Sequence, residues 1–163
     1  MTARSEAGGV LVRRATQADI PLLAAHRVAL RVHEHGMPAD VIAAATAATA
    51  RTYAELIGAG EFLAWIVERD GAAAGSVGAW LRRMLPHTDG VRPLEARVQA
   101  MYIVPEHRRA GCGTALMDAL LAELRERGVR RVYLHPSASG RQFYPLFGFR
   151  DSDEMELFLL PEL

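Results

Sequence analysis

The sequence predicts a mixed α/β (α+β) domain with elements in the order β-α-α-β-β-β-α-β-α-β. Three observations lead there. The chain has 163 residues, about what one hydrophobic core can organise. Half of those residues are hydrophobic and 23% are charged, a globular balance that argues against a disordered chain. The hydrophobic period also switches along the chain. Helical spacing over 16–57 and 114–127 alternates with apolar runs of strand length at 62–67, 72–82 and 98–104.

Residues 1–9 are small and polar and read as a flexible lead-in to a domain spanning 10–163. Val10 to Arg14 is a short strand. Thr16 stands three residues before Asp19, a capping-box-like helix start, and Pro21 falls in the first turn. Ile20, Leu22, Leu23 and Leu30 supply an apolar face, and Gly36, Met37 and Pro38 interrupt the helix. Asp40 caps a second, Ala-rich helix running to Ile57, closed by Gly58 and Gly60. Phe62 to Val67 is a buried strand, and Arg69-Asp70-Gly71 turns it into a return strand over 72–82. Residues 84–95, with two Pro and one Gly, are a loop. Val98 to Val104 is a strand stopped by Pro105. Leu116, Leu120, Leu121 and Leu124 place a helix over 114–127, with Gly128 as terminator. Arg131–His135 is a strand, Gly140–Phe147 a short helix ending at Gly148, and Met155–Leu160 a closing strand.

Composition removes several functions. Nineteen basic residues balance nineteen acidic ones, so no basic field exists to hold nucleic acid. Every basic residue is Arg, a bias that codon usage explains, and chemistry through a Lys nucleophile or Schiff base is excluded. The single Cys112 rules out an intramolecular disulfide and a Cys-rich zinc site, and a lone thiol fits a reducing compartment. His107 and His135 have no partners at metal-ligand spacing, so no metal is expected. MTARSEAGGVLVRR contains no apolar core of a secretory signal. The Ala run 43–50 is broken by Thr46 and Thr49, far short of the ~18–20 residues that cross a bilayer. A soluble, cytoplasmic protein without a membrane partner is expected.

The segment VQAMYIVPEHRRAGCGT over 98–114 concentrates the chemistry. A strand enters a Pro, then a basic Gly-containing turn, then a helix. A helix N-terminus carries unpaired N–H donors and the positive end of the helix dipole, and so suits a pyrophosphate. Gly111 and Gly113 admit a ligand close to the backbone, and Arg108 and Arg109 add charged donors. An ordinary strand–turn–helix connection with exposed Arg is the competing reading. A P-loop is excluded for want of Lys, and the dinucleotide G-x-G-x-x-G fails because Leu116 takes the third Gly position.

The pattern that does fit is Arg-x-x-Gly-x-Gly at Arg108, Gly111 and Gly113, after a hydrophobic strand ending in Val104-Pro105. It resembles the coenzyme-A signature of the GNAT superfamily of N-acetyltransferases. RRVYLHPSASGRQFYPLFGF over 130–149 is similar to the family's fifth strand, fourth helix and F-Y-x-x-x-G-F ending. The hairpin at Asp70-Gly71 with Gly75, and the Ala-Thr-x-x-Asp19 opening, extend the resemblance over nearly the whole chain. It implies a splayed, mostly antiparallel sheet flanked by helices on both faces, and acetyl-CoA as co-substrate. The tail resembles a broad bacterial-type branch with no single substrate, and many members pair near the C-terminus, which makes a homodimer an expected partner state.

Carried over by position, the resemblance implies that Met101, Tyr102 and Ile103 offer main-chain groups to the acetyl carbonyl and pantetheine arm. Arg109, Ala110, Gly111, Cys112, Gly113 and Thr114 would hold the pyrophosphate, and Ser137 stands where many members have an Asn that contacts the coenzyme. Tyr144 matches the Tyr beside the coenzyme sulfur that protonates the leaving thiolate. A structural aromatic beside Phe143 and Phe147 is the alternative for that position. The implied reaction is direct attack of an amine on the thioester. Cys112 as a covalent nucleophile is a weaker alternative, because that slot between glycines is usually filled by a small or apolar residue.

Members that use a carboxylate base often carry Glu where this chain reads Arg97-Val98-Gln99. Glu95, His33, Glu34, His35, His87 and Asp89 are the remaining candidates, with a solvated loop as the plainer reading of the ionisable residues before Gly36. The acceptor wall is expected from the first helix pair near 27–45, the 84–95 loop and the strand near Trp80 and Arg82, with His33, Glu34, Trp80 and Gln99 as substrate contacts. That wall has no acidic cluster of the kind a polycation would favour. A small-molecule or peptide amine remains the acceptor class. A catalytically silent acyl-CoA-binding sensor is the second reading, since the strand Glu is missing and Ser replaces Asn at position 137. Nucleic-acid binding through Arg108, Arg109, Arg130 and Arg131 is disfavoured by zero net charge and 7% aromatics.

Overall fold

A computed structural model of the chain describes residues 3–4, 9–36, 38–86, 88, 93–157 and 159. Six strands lie in one sheet in chain order: β1 Ala3–Arg4, β2 Val10–Arg14, β3 Phe62–Arg69, β4 Ala72–Arg83, β5 Leu94–Ile103 and β6 Val129–Tyr133. Neighbours are antiparallel from β1 through β5, and only β5 and β6 run parallel. Local chemistry explains both modes. Asp70 and Gly71, at φ of 53° and 79°, form a two-residue turn between paired Arg69 and Ala72, matched to the twist of the strands. A parallel pair needs a crossover, which helix α3 (Cys112–Glu126) provides.

Helices α1 (Ile20–His35) and α2 (Ala39–Gly58) cover one face of the sheet, and α3 covers the other. Leu116, Leu120 and Leu124 recur at helical spacing and are buried against Leu63, Trp65, Val67, Val77 and Ala79. On the opposite face Leu23, Ala24 and Tyr53 pack on Phe62, Ala64 and Ile66. The six residues Phe62 to Val67 therefore divide alternately between two cores, which is why the sequence there is an unbroken apolar run. Among the described residues no helix is long and apolar enough to cross a membrane.

One polar node joins β2, β3 and the start of α1. The Asp19 carboxylate accepts two guanidinium N–H groups from Arg13 at 2.8 and 2.9 Å, and the Thr16 N–H at 2.8 Å. Arg13 Nε also donates to Glu68 Oε1 at 2.7 Å. The Arg13 hydrogen bonds, followed by those from Thr16, hold the Asp19 carboxyl well below the usual carboxylate range despite partial burial.

Several expectations change. Strand β5 begins at Leu94, inside the segment expected to be a loop, because Leu94–Arg97 finds partners on β4 and on β6. Strand β6 ends at Tyr133, since its pairing with β5 stops at Arg97. The short helix over 140–147 becomes turns followed by a 3₁₀ turn at Tyr144–Phe147, where Pro145 removes an N–H that a continuous α-helix needs. Ala3 and Arg4, placed in the expected lead-in, pair with Val12 and Leu11. Finally, the closing strand does not form among the described residues. Residues 151–157 have no regular structure, and Met155, Leu157 and Leu159 are 99%, 79% and 86% exposed. Side-chain ion pairs Arg131–Glu154 and Arg141–Asp151 hold this tail, and no ladder hydrogen bonds do. Phe158 and Leu160 lie outside the described residues.

Removing the Asp19 charge tests the polar node. Asp19→Asn is expected to cost about 1–3 kcal/mol at pH 7, read as a lower urea midpoint. A carboxylate with a lowered folded pKa contributes stability above its unfolded pKa of ~3.9 and loses it as pH falls toward the folded value. The variant should therefore lose less between pH 5 and pH 2 than the parent chain; equal acid slopes would refute the assignment.

Candidate active site

Strand β5 gains one residue relative to β4 in the middle of the sheet. Gly78 pairs with Gln99 and Ser76 with Tyr102, so two steps on β4 match three on β5. The extra residue falls at Ala100, whose φ of 54° is left-handed. The bulge resets the alternation of side chains. Gln99 and Tyr102 both face α1 and α2, whereas Met101 and Ile103 pack on the α3 side. At the same level β5 loses its other neighbour, because pairing with β6 ends at Arg97–Tyr133. From Val98 onward that edge has no strand partner among the described residues, and two parallel strands part to leave a cleft.

The turn after β5 faces that cleft. Pro105–His107 form a 3₁₀ turn, and Arg108 Nε donates back to the Ile103 carbonyl at 3.1 Å. Arg109 is held at φ 58°, a conformation that costs a non-Gly residue on the order of 1 kcal/mol or more. Ala110 follows, and Gly111, at φ 80°, caps α3 with open space where a Cβ would sit. The amides of Cys112, Gly113 and Thr114 begin the helix and have no carbonyl within it to donate to. The Cys112 side chain points away and is buried among Leu116 and Met117, a packing position that does not suit a nucleophile. At Gly113 a Cβ would stand 3.3 Å from Phe143, so this glycine also admits a neighbouring ring.

Tyr144 is half-buried between Phe143 and Phe149, with ring centroids at 5.4 and 5.8 Å, and packs on the cluster that includes Met101, Ile103 and Cys112. Ser137 Oγ accepts the Gly140 N–H at 3.2 Å, so the hydroxyl closes the turn before the aromatic segment. Coenzyme-side residues expected from sequence thus gather at one end of β5.

The other face of the bulge holds a group that sequence reading missed. His26 Nδ1 is hydrogen-bonded to Ser76 Oγ at 2.9 Å, and its ring lies 5.1 Å from that of Tyr102. Burial pushes the His26 pKa down, so the imidazole is neutral near pH 7. The available signal was a polar residue between Leu23 and Leu30 on the apolar stripe of α1. On the same side of the sheet is a cavity of about 290 Å³ lined by Arg27, Ala48, Thr49, Thr52, Tyr53, Leu56, Phe62, Trp80 and Gln99.

Trp80 and Gln99 therefore come together as expected. His33 instead borders a second cavity, of about 430 Å³, between α1 and α2 with Val28, Val32 and Ile42. The side chains of Glu34 and His35, and His87 and Asp89 entirely, lie outside the described residues. Glu95 pairs in register with Arg82 and Arg131 at the far end of β5 from the bulge. Among the described residues no cluster of three His, Cys, Asp or Glu could hold a metal.

Comparison with known proteins bears on the fold. Residues 25–149 match a model of the acetyltransferase (GNAT) family. A GCN5-related N-acetyltransferase from Ralstonia eutropha is 27% identical, with 93% of this chain and 99% of that one covered and a TM-score of 0.79. A Clostridium acetobutylicum protein described as a predicted acetyltransferase with acetyl-CoA is 26% identical, with 92% and 96% covered and a TM-score of 0.78. The Danio rerio protein named "Probable N-acetyltransferase 14" is 34% identical over 91 residues, which span 53% of this chain and only 29% of that protein.

Burial of neutral His26 makes stability pH-dependent. Below the unfolded pKa of ~6.5 the unfolded chain binds a proton that the folded state resists, so stability falls as pH drops from 7.5 to 5. His26→Asn keeps a hydrogen-bonding partner for Ser76 and removes the titration. Its urea midpoint should decline less over that range than the parent's. A decline as steep as the parent's would show that His26 is not the group responsible.

Proposed function

This chain belongs to the acetyltransferase (GNAT) family, and on that footing we propose that it transfers the acetyl group of acetyl-CoA to a primary amine of a small molecule or peptide by direct attack. The observation that carries this reading is the coincidence of three features at one level of the sheet: the bulge at Ala100, the parting of β5 from β6, and the strained turn leading to the open N-terminus of α3.

The residues suit the coenzyme. The α3 amides from Cys112 to Thr114 and the guanidinium groups of Arg108 and Arg109 meet a pyrophosphate with donors and positive charge. Main-chain groups of Met101, Tyr102 and Ile103 at the unpaired edge suit the amide-bearing pantetheine arm, and a strand N–H there donates to the acyl oxygen. Ser137 takes a lesser part, since its hydroxyl already serves the Gly140 turn. Bound acetyl-CoA supplies a thioester. The amine nitrogen forms a bond to the carbonyl carbon as the carbon–sulfur bond breaks, with its electron pair going to sulfur. Tyr144 holds the proton for that sulfur, since phenols and alkyl thiols are acids of comparable strength. On the other face His26, hydrogen-bonded to Ser76, takes up the proton that the amine loses and passes it to solvent, and Tyr144 recovers its own proton from solvent.

Two substitutions separate this reading from its rivals. Arg109→Gly relieves the left-handed backbone and removes one charge. It should leave the thermal midpoint unchanged or raised, yet weaken acetyl-CoA binding about tenfold by calorimetry. No binding to the folded parent chain would overturn the acetyltransferase reading. Tyr144→Phe should lower CoA release at least about tenfold while acetyl-CoA affinity stays within a few-fold. Binding without turnover in the parent, across a broad panel of amines, would instead favour a catalytically silent sensor.

A further inference from the structure

The lining of the cavity at Gln99 restricts the chemistry of the acceptor. We propose that it receives a primary amine of amino-acid size bearing one carboxylate, with the carboxylate held by Arg27 and an apolar or aromatic side chain held by Tyr53, Leu56, Phe62 and Trp80. This inference rests on the acetyl-transfer reading above and names its substrate class.

Charge is the first argument. Arg27 is the sole charged residue among those that line the cavity, and no Asp or Glu accompanies it. Elsewhere Arg13, Arg14, Arg127, Arg131 and Arg141 each pair with a carboxylate. Arg27 has no such partner among the described residues, although it is half-buried. A half-buried guanidinium without an anion is poorly compensated, and its planar fork matches a carboxylate with two parallel N–H bonds. A polyamine would bring like charge into the same space. One guanidinium also balances one negative charge, which favours a carboxylate over a phosphate dianion.

Shape and placement are the second. About 290 Å³ accommodates one amino-acid-sized molecule and little more. Tyr53, Phe62 and Trp80 supply aromatic surface, with the Tyr53 and Phe62 rings 4.9 Å apart. Thr49, Thr52 and Gln99 supply neutral hydrogen-bonding groups. Gln99 immediately precedes Ala100, whereas Arg27 stands on α1, so a molecule spanning the two would have its amine at the bulge and its carboxylate at the helix.

The test measures CoA release by the full chain with L-phenylalanine, L-leucine, L-phenylalaninamide, phosphoethanolamine and spermidine. L-phenylalanine is expected to have a KM at least about tenfold below that of its amide. Arg27→Gln should raise the KM for the acid by a similar factor, with the amide within about threefold and acetyl-CoA affinity unchanged. Equal use of acid and amide by the parent chain, equal effects of Arg27→Gln on both, or preference for phosphoethanolamine or spermidine would each overturn the proposal. Where no amine releases CoA, Trp fluorescence of the CoA-loaded protein titrated with L-phenylalanine decides. Saturable binding lost in Arg27→Gln supports the carboxylate site, and absence of binding overturns it. Failure of acetyl-CoA itself to bind would instead remove the acetyl-transfer reading. The Arg27-dependence of L-phenylalanine binding by the coenzyme-free protein then decides the carboxylate site separately.

Discussion

The extra residue at Ala100 is the constraint on which the site depends. In an uninterrupted antiparallel strand, Met101 would continue the face that carries Gln99. With the bulge, Met101 turns to the α3 side and Tyr102 comes to lie against His26. Strand β4 makes room for this shift with glycine. A Cβ at Gly75 would stand 2.5 Å from the Tyr102 carbonyl oxygen, and one at Gly78 would stand 2.2 Å from the Phe62 ring. Neither backbone nor a buried ring can yield that distance, so the two glycines allow β5 and β3 their close approach.

Strain and support are distributed unequally. Ala100 and Arg109, two of the three non-glycine residues at positive φ among the described residues, flank the same end of β5. The surroundings must over-determine such conformations for them to persist. Much of that support comes from α3. Its leucines are buried on the sheet, and Glu123 near its C-terminal end accepts Trp65 Nε1 at 3.0 Å and pairs with Arg14 at 2.6 Å and Arg127 at 2.7 Å. With that end anchored to β2 and β3, the helix N-terminus is held in place beside the cleft, and its unpaired amides need no side-chain cap.

The two faces of the sheet are thereby given different chemistry. The α3 side, with Arg108, Arg109 and the first-turn amides, is built from main chain and positive charge. The α1–α2 side, with His26, Ser76, Tyr102 and the Arg27 cavity, is built from side chains. Chains only 26–27% identical keep this fold, with TM-scores of 0.79 and 0.78.

Elements whose character is local were legible in the sequence alone. The helices announce themselves by spacing in Leu116, Leu120 and Leu124, the hairpin by Asp70-Gly71, and the turn before α3 by Gly111, because a helix stripe and a tight turn each demand particular residues at fixed intervals. Tertiary structure decided everything that needs a partner. Leu94–Arg97 became strand only because β4 and β6 lie on either side, and residues 155–157, with strand-like alternation but no ladder partner among the described residues, did not. The bulge at Ala100 left no mark either, since no glycine stands there to signal a left-handed backbone. His26 and Arg27 are two adjacent polar residues on an amphipathic helix until folding sets Ser76 and Tyr102 beside the first and Tyr53, Trp80 and Gln99 around the second. Those residues lie on four separate elements, and no spacing within one chain encodes a distance that only packing creates.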